Sequence, residues 1–231
     1  MFRDIYAISY KMKRELYHKI FTIAFAVILC FVAISLFMTF VLFPVRDKSV
    51  SMTPDVATNG FELVTPLLRT PKRGDVMLVQ VYPVEKKSLP VRFVNLLGRF
   101  LTAQQWQPVA EDRNVTSQFV RRVIGMPGDT IYLDNYIAYI QPKDEKHFKT
   151  EFELTETKYN VTTVTPPSRW DTELGVQGKT VAVTLGENEY FVLGDNRLAS
   201  ADSRLWGAVT QGAFRGKLLL QYMPFSKFRL F

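Results

Sequence analysis

Ser51 stands in the run Ser49-Val50-Ser51-Met52-Thr53-Pro54, a few residues beyond a long uncharged apolar stretch. A hydroxyl at that address is a nucleophile held at a lipid surface, provided a neighbouring base takes its proton. The chain has only two histidines. His18 precedes the apolar stretch, and His147 lies in a polar segment where it reads as a surface residue. A Ser-His-Asp triad and a histidine metal site therefore both lack support. The substitute base is a lysine amine, made neutral by burial among apolar groups. The single cysteine, Cys30, falls inside the apolar stretch, which excludes thiol catalysis, a thiolate metal site and an internal disulfide beyond it.

Taken alone, Ser51-Met52-Thr53-Pro54 is a weak signal, because serine before a turn is common. Its order with three further segments carries more. These are Lys72-Arg73-Gly74-Asp75-Val76, then Arg121-Arg122-Val123-Ile124-Gly125-Met126-Pro127-Gly128-Asp129, then Gly194-Asp195-Asn196-Arg197-Leu198-Ala199-Ser200-Ala201-Asp202-Ser203-Arg204-Leu205-Trp206-Gly207. Together the four closely resemble the sequence boxes of the bacterial type I signal peptidase (leader peptidase) family. The last segment is the most specific, and the ending Tyr222-Met223-Pro224-Phe225 is similar to that family's C-terminus. The resemblance covers the apolar stretch and most of the chain beyond it, but neither Val91–Trp106 nor Glu145–Gln177.

The resemblance implies roles by position. Ser51 is the nucleophile, and its N–H with the Ser49 hydroxyl forms an oxyanion hole. Ser200 orients the general base. Arg122, Asp202 and Arg204 form a supporting ion-pair network. Gly125, Pro127, Gly128 and Asp129 set the turn after the base-bearing strand, and Gly194 and Asp195 support the site. It also implies a serine endopeptidase that removes N-terminal signal peptides from exported preproteins at small-x-small sites, with no metal or organic cofactor.

Arg121 departs from the pattern, since the family carries its general-base lysine there. A guanidinium has no usable lone pair and stays charged where an amine would give up its proton. A shifted alignment does not help, because no lysine occurs between Lys87 and Lys143. Val50 and Asp55 stand where a small residue and a threonine are usual, and Asp47 where an apolar pocket wall is expected. Three readings stay open. Lys48 or Lys72 serves as base; Arg121 stabilises a serine alkoxide, giving a slower enzyme with an alkaline optimum; or the chain is a non-catalytic homologue that binds preproteins or a partner peptidase.

The elements that must position these groups are read from patterning. Ile20 to Phe43 carries no charge, and its roughly 36 Å of helix, at about 1.5 Å per residue, is enough to span a bilayer. It is longer than a signal-peptide core and lacks small residues at its end, so it reads as an uncleaved anchor. Arg3, Lys11, Lys13, Arg14 and Lys19 precede it against Asp4 and Glu15. That excess places residues 1–19 in the cytoplasm and residues 44–231 on the periplasmic or outer side of the inner (cytoplasmic) membrane. Of the net charge of +7, +4 remains beyond the N-terminal segment. This suits a lipid bilayer, and the scattered basic residues do not suit nucleic acid.

Beyond the anchor the reading is mainly β, a signal-peptidase-like sheet domain. Strands are predicted over Asp75–Tyr82, Phe119–Ile124, Thr130–Leu133, Ile137–Gln141, Thr180–Leu185, Tyr190–Leu193 and Gly216–Met223. Residues 134–189 approximately form an insertion or non-catalytic subdomain, with Glu145–Gln177 its most polar part. Val91–Trp106 repeats apolar residues at helical spacing. It is either a helix packed on the sheet or an interfacial helix with Trp106 at headgroup level.

Overall fold

In the computed structural model the residues described are 2–81, 88–101, 118–163 and 178–231. Tyr82 of the first predicted strand, residues 102–106 of the predicted helix and residues 164–177 of the expected insertion lie outside them.

Helix α1 runs Phe2–Phe40. Its stretch Met12–Phe40 is long and apolar enough to cross a membrane, and almost none of it is buried in the protein. The helix stops short of the predicted Phe43. Phe43 and Pro44 instead open strand β1, Phe43–Asp47. Pro44 is tolerated because β1 is an edge strand, where a missing N–H costs no ladder bond.

Next come β2 Gly60–Thr65, β3 Val76–Gln80, helix α2 Leu89–Leu101, β4 Gln118–Gly125, β5 Thr130–Asp134, β6 Ile137–Gln141 and β7 Lys149–Thr150. After these are α3 Glu151–Leu154, β8 Val183–Thr184, β9 Glu189–Leu193, α4 Ser203–Trp206, β10 Val209–Thr210, β11 Phe214–Met223 and β12 Arg229–Leu230. Strand β8 covers only the end of the predicted Thr180–Leu185.

The larger sheet has the order β1-β2-β11-β3-β4-β9-β10, with β12 paired to β11, and the smaller has β7-β6-β5-β8. The fold is mainly β, as predicted. Strand β3 is buried on both faces. Val76 and Leu78 meet Met52, Val64, Val120 and Leu218, while Met77 and Val79 meet Val123, Val192 and Phe214. That two-sided burial explains why its sequence is a continuous apolar run and does not alternate. The smaller sheet packs Ile131, Leu133, Ala138 and Ile140 against Ile124, Phe191 and Leu193, at the ends of β4 and β9.

Strands β1 and β4 are separated by three others in the larger sheet, yet both line one cleft. The sheet therefore curls, and the turn after β1 is brought against the middle of β4.

Candidate active site

Ser51 opens the turn after β1 and is only 2% exposed. Apolar burial pins the turn: Met52 and Val56 both plug the core beside Val64, Leu78 and Val120. Backbone bonds from Thr53 N to Val50 O (3.2 Å) and Val56 N to Met52 O (2.8 Å) close it. The loop after β9 lies against it, with Asn196 N donating to Ser51 O at 2.9 Å. The approach is too close for a side chain at Gly194. A Cβ there would sit 2.1 Å from Ser200 Oγ and 2.6 Å from Ser51 O.

Arg121 reaches the serine from β4. Its Nη1 donates to Ser51 Oγ at 2.7 Å, and its Nε donates to the Ala201 carbonyl at 2.7 Å. Ser49 Oγ is 2.7 Å from Ser51 Oγ, and Ser51 N–H faces Ser49 Oγ at 3.4 Å. The guanidinium is buried over the Phe119 and Trp206 rings, 5.1 and 5.9 Å from their centroids. Burial pulls it down to about 10, opposed by the fields of Asp202 and Asp47. It thus stays charged at neutral pH, and the facing rings favour that form. The lone pairs of Ser51 Oγ meet a cation, and the adjacent acceptor for its proton is the Ser49 hydroxyl.

Ser200 is buried, but its Oγ has no hydrogen-bond partner. Arg121 passes it by, because the long planar fork is already bound at Ser51 and Ala201. Lys48 is exposed on the rim of the cleft. Lys72 is exposed on the turn before β3, where its N–H bonds Asp75 Oδ2 at 2.9 Å, and it does not line the cleft.

The cleft holds about 600 Å³. Val45, Leu78 and Val120 supply apolar wall, Ala199 and Ala201 keep part of it small, and Asp47 and Gln118 add polar groups. Asp47 Oδ1 accepts from Ser49 N at 2.8 Å, while Oδ2 is buried without a partner. Glu62 lies close by on β2 and accepts from Asp47 N at 3.1 Å. Burial, with the neighbouring Asp47 charge, lifts Glu62 to about 7.

The supporting ions divide into two pairs. Arg122 holds Asp195 through two bonds of 2.8 and 2.6 Å, reaches Asp55 at 3.3 Å, and stacks on Tyr159 at 4.0 Å. Arg204 holds Asp202 through bonds of 2.8 and 2.7 Å. Asp202 also accepts from Gly194 N at 3.1 Å and caps α4. The single network predicted for Arg122, Asp202 and Arg204 is split because Arg122, next to Arg121 on β4, alternates away from the side where Arg121 meets the Ala201 carbonyl. In the turn after β4, Gly128 adopts φ +85, and Asp129 accepts from Met126 N at 2.6 Å and pairs with Arg73 at 2.9 Å. A Cβ at Gly125 would meet Leu185 at 2.7 Å.

Sequence reasoning misses two supports. Asp55, legible only as a departure from the family pattern, pairs with Arg122 and, at 2.6 Å, with Arg229. Glu151 and Arg197 form a fully buried pair at 2.6 Å, with the Tyr159 hydroxyl on the same carboxylate. Glu151 comes from the polar stretch, where nothing in the local pattern marks one acid as buried.

A profile of the family described as "Signal peptidase, peptidase S26" matches residues 19–223. Signal peptidase IB of Staphylococcus aureus is 25% identical over 218 residues, covering 94% of this chain and 95% of that protein. A protein named probable signal peptidase I-1, from Synechocystis, is 30% identical over 109 residues, covering 47% of this chain and 44% of its own length. A crystal structure of a signal peptidase I from Enterococcus faecalis aligns with 64% of this chain and 97% of its own, at 21% identity and a TM-score of 0.32.

Proposed function

Because the chain belongs to the signal peptidase family of serine hydrolases, we propose that it is a membrane-anchored endopeptidase that cleaves signal peptides from exported preproteins. Ser51 is the nucleophile, and Arg121 supports its alkoxide in place of a lysine that would remove its proton. The observation that carries this reading is the 2.7 Å bond from Arg121 Nη1 to Ser51 Oγ, with the Ser49 hydroxyl on the same oxygen at 2.7 Å.

The chemistry is set by that geometry. A buried, charged donor lowers the energy of the alkoxide without accepting its proton. The Ser51 proton leaves through the Ser49 hydroxyl to solvent, more readily as hydroxide becomes available. The alkoxide attacks the scissile carbonyl, and Ser51 N–H turns from its long contact with Ser49 to the developing oxyanion. Solvent protonates the leaving amine, and water then hydrolyses the acyl-enzyme. A positioned general base contributes about 100- to 10,000-fold, so this enzyme is slower than a lysine-bearing relative by some part of that factor. Activity climbs with pH until Arg121 begins to lose its proton near 10.

The walls supplied by Val45, Leu78, Ala199 and Ala201 suit small side chains at the two pocketed positions of a small-x-small site. Helix α1, with its basic leading flank, is the anchor in the cytoplasmic membrane, and residues 44–231 form the peptidase domain on the outer side.

The second reading, a non-catalytic preprotein binder, is favoured by one observation: Ser51 Oγ faces a cation and a hydroxyl, with no amine base beside it among the described residues. Cleavage of a preprotein bearing an Ala-x-Ala site, by the detergent-purified chain at about pH 7 and about pH 9.5, on either side of the range where hydroxide becomes available, separates the two. The peptidase reading predicts specific cleavage, faster at the higher pH and abolished in Ser51→Ala. Binding without turnover at both pH values would replace it with the second reading.

A further inference from the structure

Helix α2 is turned inside out. In a soluble domain the apolar face of a surface helix points to the core and the polar face to water. Here Leu89, Phe93, Leu96 and Leu97 are 76%, 60%, 59% and 43% exposed. At about 100° per residue these four positions share one face of the helix. On roughly the opposite side Gly98 is buried, and Val91 and Asn95 are half-buried. The side carrying Gly98, Val91 and Asn95 meets the protein, and the side carrying Phe93 and the three leucines faces away from it.

The surroundings say which apolar medium covers that face. Helix α2 packs against α1, whose own apolar residues are exposed all round, Phe21 at 70% and Phe25 at 58% among them. A bilayer that covers α1 is therefore the environment continuous with α2. The charge agrees. Leu89–Leu101 holds no acidic residue; its two charged residues are Arg92 and Arg99, and Lys86-Lys87 precede it in sequence. A cationic helix with one large apolar face lies in the headgroup region of an anionic leaflet. Thirteen residues make about 20 Å of helix, too short to cross the hydrocarbon core but ample to lie along its boundary.

We propose that α2 is an interfacial helix, its Leu89, Phe93, Leu96 and Leu97 face seated at the boundary between headgroups and acyl chains of the membrane that α1 spans. The proposal rests on the reading of α1 as an anchor. It gives the domain a second attachment, which limits its rotation about α1 and sets the height of the cleft above the lipid. The apolar face belongs to the lipid, not to the signal peptide and not to a second copy of the chain.

The test uses the full chain in vesicles of phosphatidylcholine and phosphatidylglycerol. In a Cys30→Ser background, single cysteines replace Phe93, Leu96, Phe25 or His147 and carry an environment-sensitive fluorophore. Labels at 93 and 96 are expected to emit blue-shifted light, to be quenched by about twofold or more by nitroxides near the top of the acyl chains, and to resist aqueous iodide, as befits a face buried at the headgroup boundary. The label at 147 should behave in the opposite way. Iodide quenching at 93 and 96, with the label at 25 still quenched by acyl-chain nitroxide, would overturn the interfacial helix and leave the anchor standing. Failure at 25 as well would overturn both. Protection at 93 that appears only on adding preprotein, or that persists in dilute detergent as a function of protein concentration, assigns the face to substrate or to self-association and likewise overturns the proposal.

Discussion

Arg121 and Arg122 are neighbours on one strand, both buried, and have opposite employment. Arg122 commits its charge to Asp195 and Asp55, and although burial alone would lower it, those carboxylates hold it above the ordinary arginine value. Among the described residues no carboxylate lies within ion-pair distance of Arg121. Its donors go to a serine hydroxyl and to carbonyl oxygens, and burial draws it down to about 10. A charge already neutralised is structural. A buried charge facing a hydroxyl is, in the proposed mechanism, held for the alkoxide of Ser51. Alternation along β4 decides the difference, since adjacent side chains leave a strand on opposite faces.

That contrast is open to direct attack. The largest effect expected is on stability, from Arg122→Ala. It strands Asp195 as a buried carboxylate without its ion-pair partner, leaves Asp55 paired with Arg229 alone, and should cost about 3–5 kcal/mol, read as a fall in denaturant midpoint. Arg121→Met should do the reverse. It removes a buried charge that has no ion-pair partner, so stability changes little, while cleavage falls about 100- to 1000-fold, the scale for one oxyanion-type donor. If both variants lost stability equally, the division of labour between the two arginines would not stand.

Glu62 extends the comparison to a group able to neutralise itself. Its native carboxyl keeps its proton up to about pH 7, whereas an unfolded one releases it near the ordinary value of 4.5. The native state binds more protons in that window, so stability should decline as pH rises from about 4.5 to 7 and level off above, a span of about 3 kcal/mol. Glu62→Gln should flatten this decline and melt higher than the parent at about pH 8, with the two alike near the lower end of the window. Thermal melts across that range would show it.

Arg121→Lys carries the smallest but most diagnostic change. A lysine ammonium is shorter than the guanidinium fork and can turn to the partnerless Ser200 Oγ, and burial makes its amine a usable base. Cleavage near neutral pH should rise about 10- to 100-fold, and the pH profile should shift to lower values. A folded variant with the parent's profile would mean that another group already takes the Ser51 proton.

Much of this is legible in the chain. The uncharged run marks α1, β-branched and apolar clusters mark β3, β4 and β11, and the motif order brings Ser49, Ser51, Arg121 and Ser200 into one region. What stays hidden is hidden for physical reasons. β1 and β2 carry Pro44, Glu62 and charged Arg46 and Asp47, which break the alternation that signals a strand. The burial of Glu151 depends on Arg197, 46 residues away, and on Tyr159, so no local window can show it. Periodicity shows that Val91–Trp106 has an apolar face but not which way it points.

The sequence alone determined which groups are available: a serine, an arginine where the family resemblance expects a lysine, only two histidines, and an apolar run long enough to cross a membrane. Those are properties of residue type and of local order. Tertiary structure alone decided how the groups are used. The curl of the larger sheet carries the turn after β1 onto β4, the pleat sends Arg121 to Ser51 and Arg122 to Asp195, and docking against α1 leaves the apolar side of α2 outward. Each of these depends on contacts between residues far apart in the chain, where burial and charge are set by the partner and not by the neighbour in sequence.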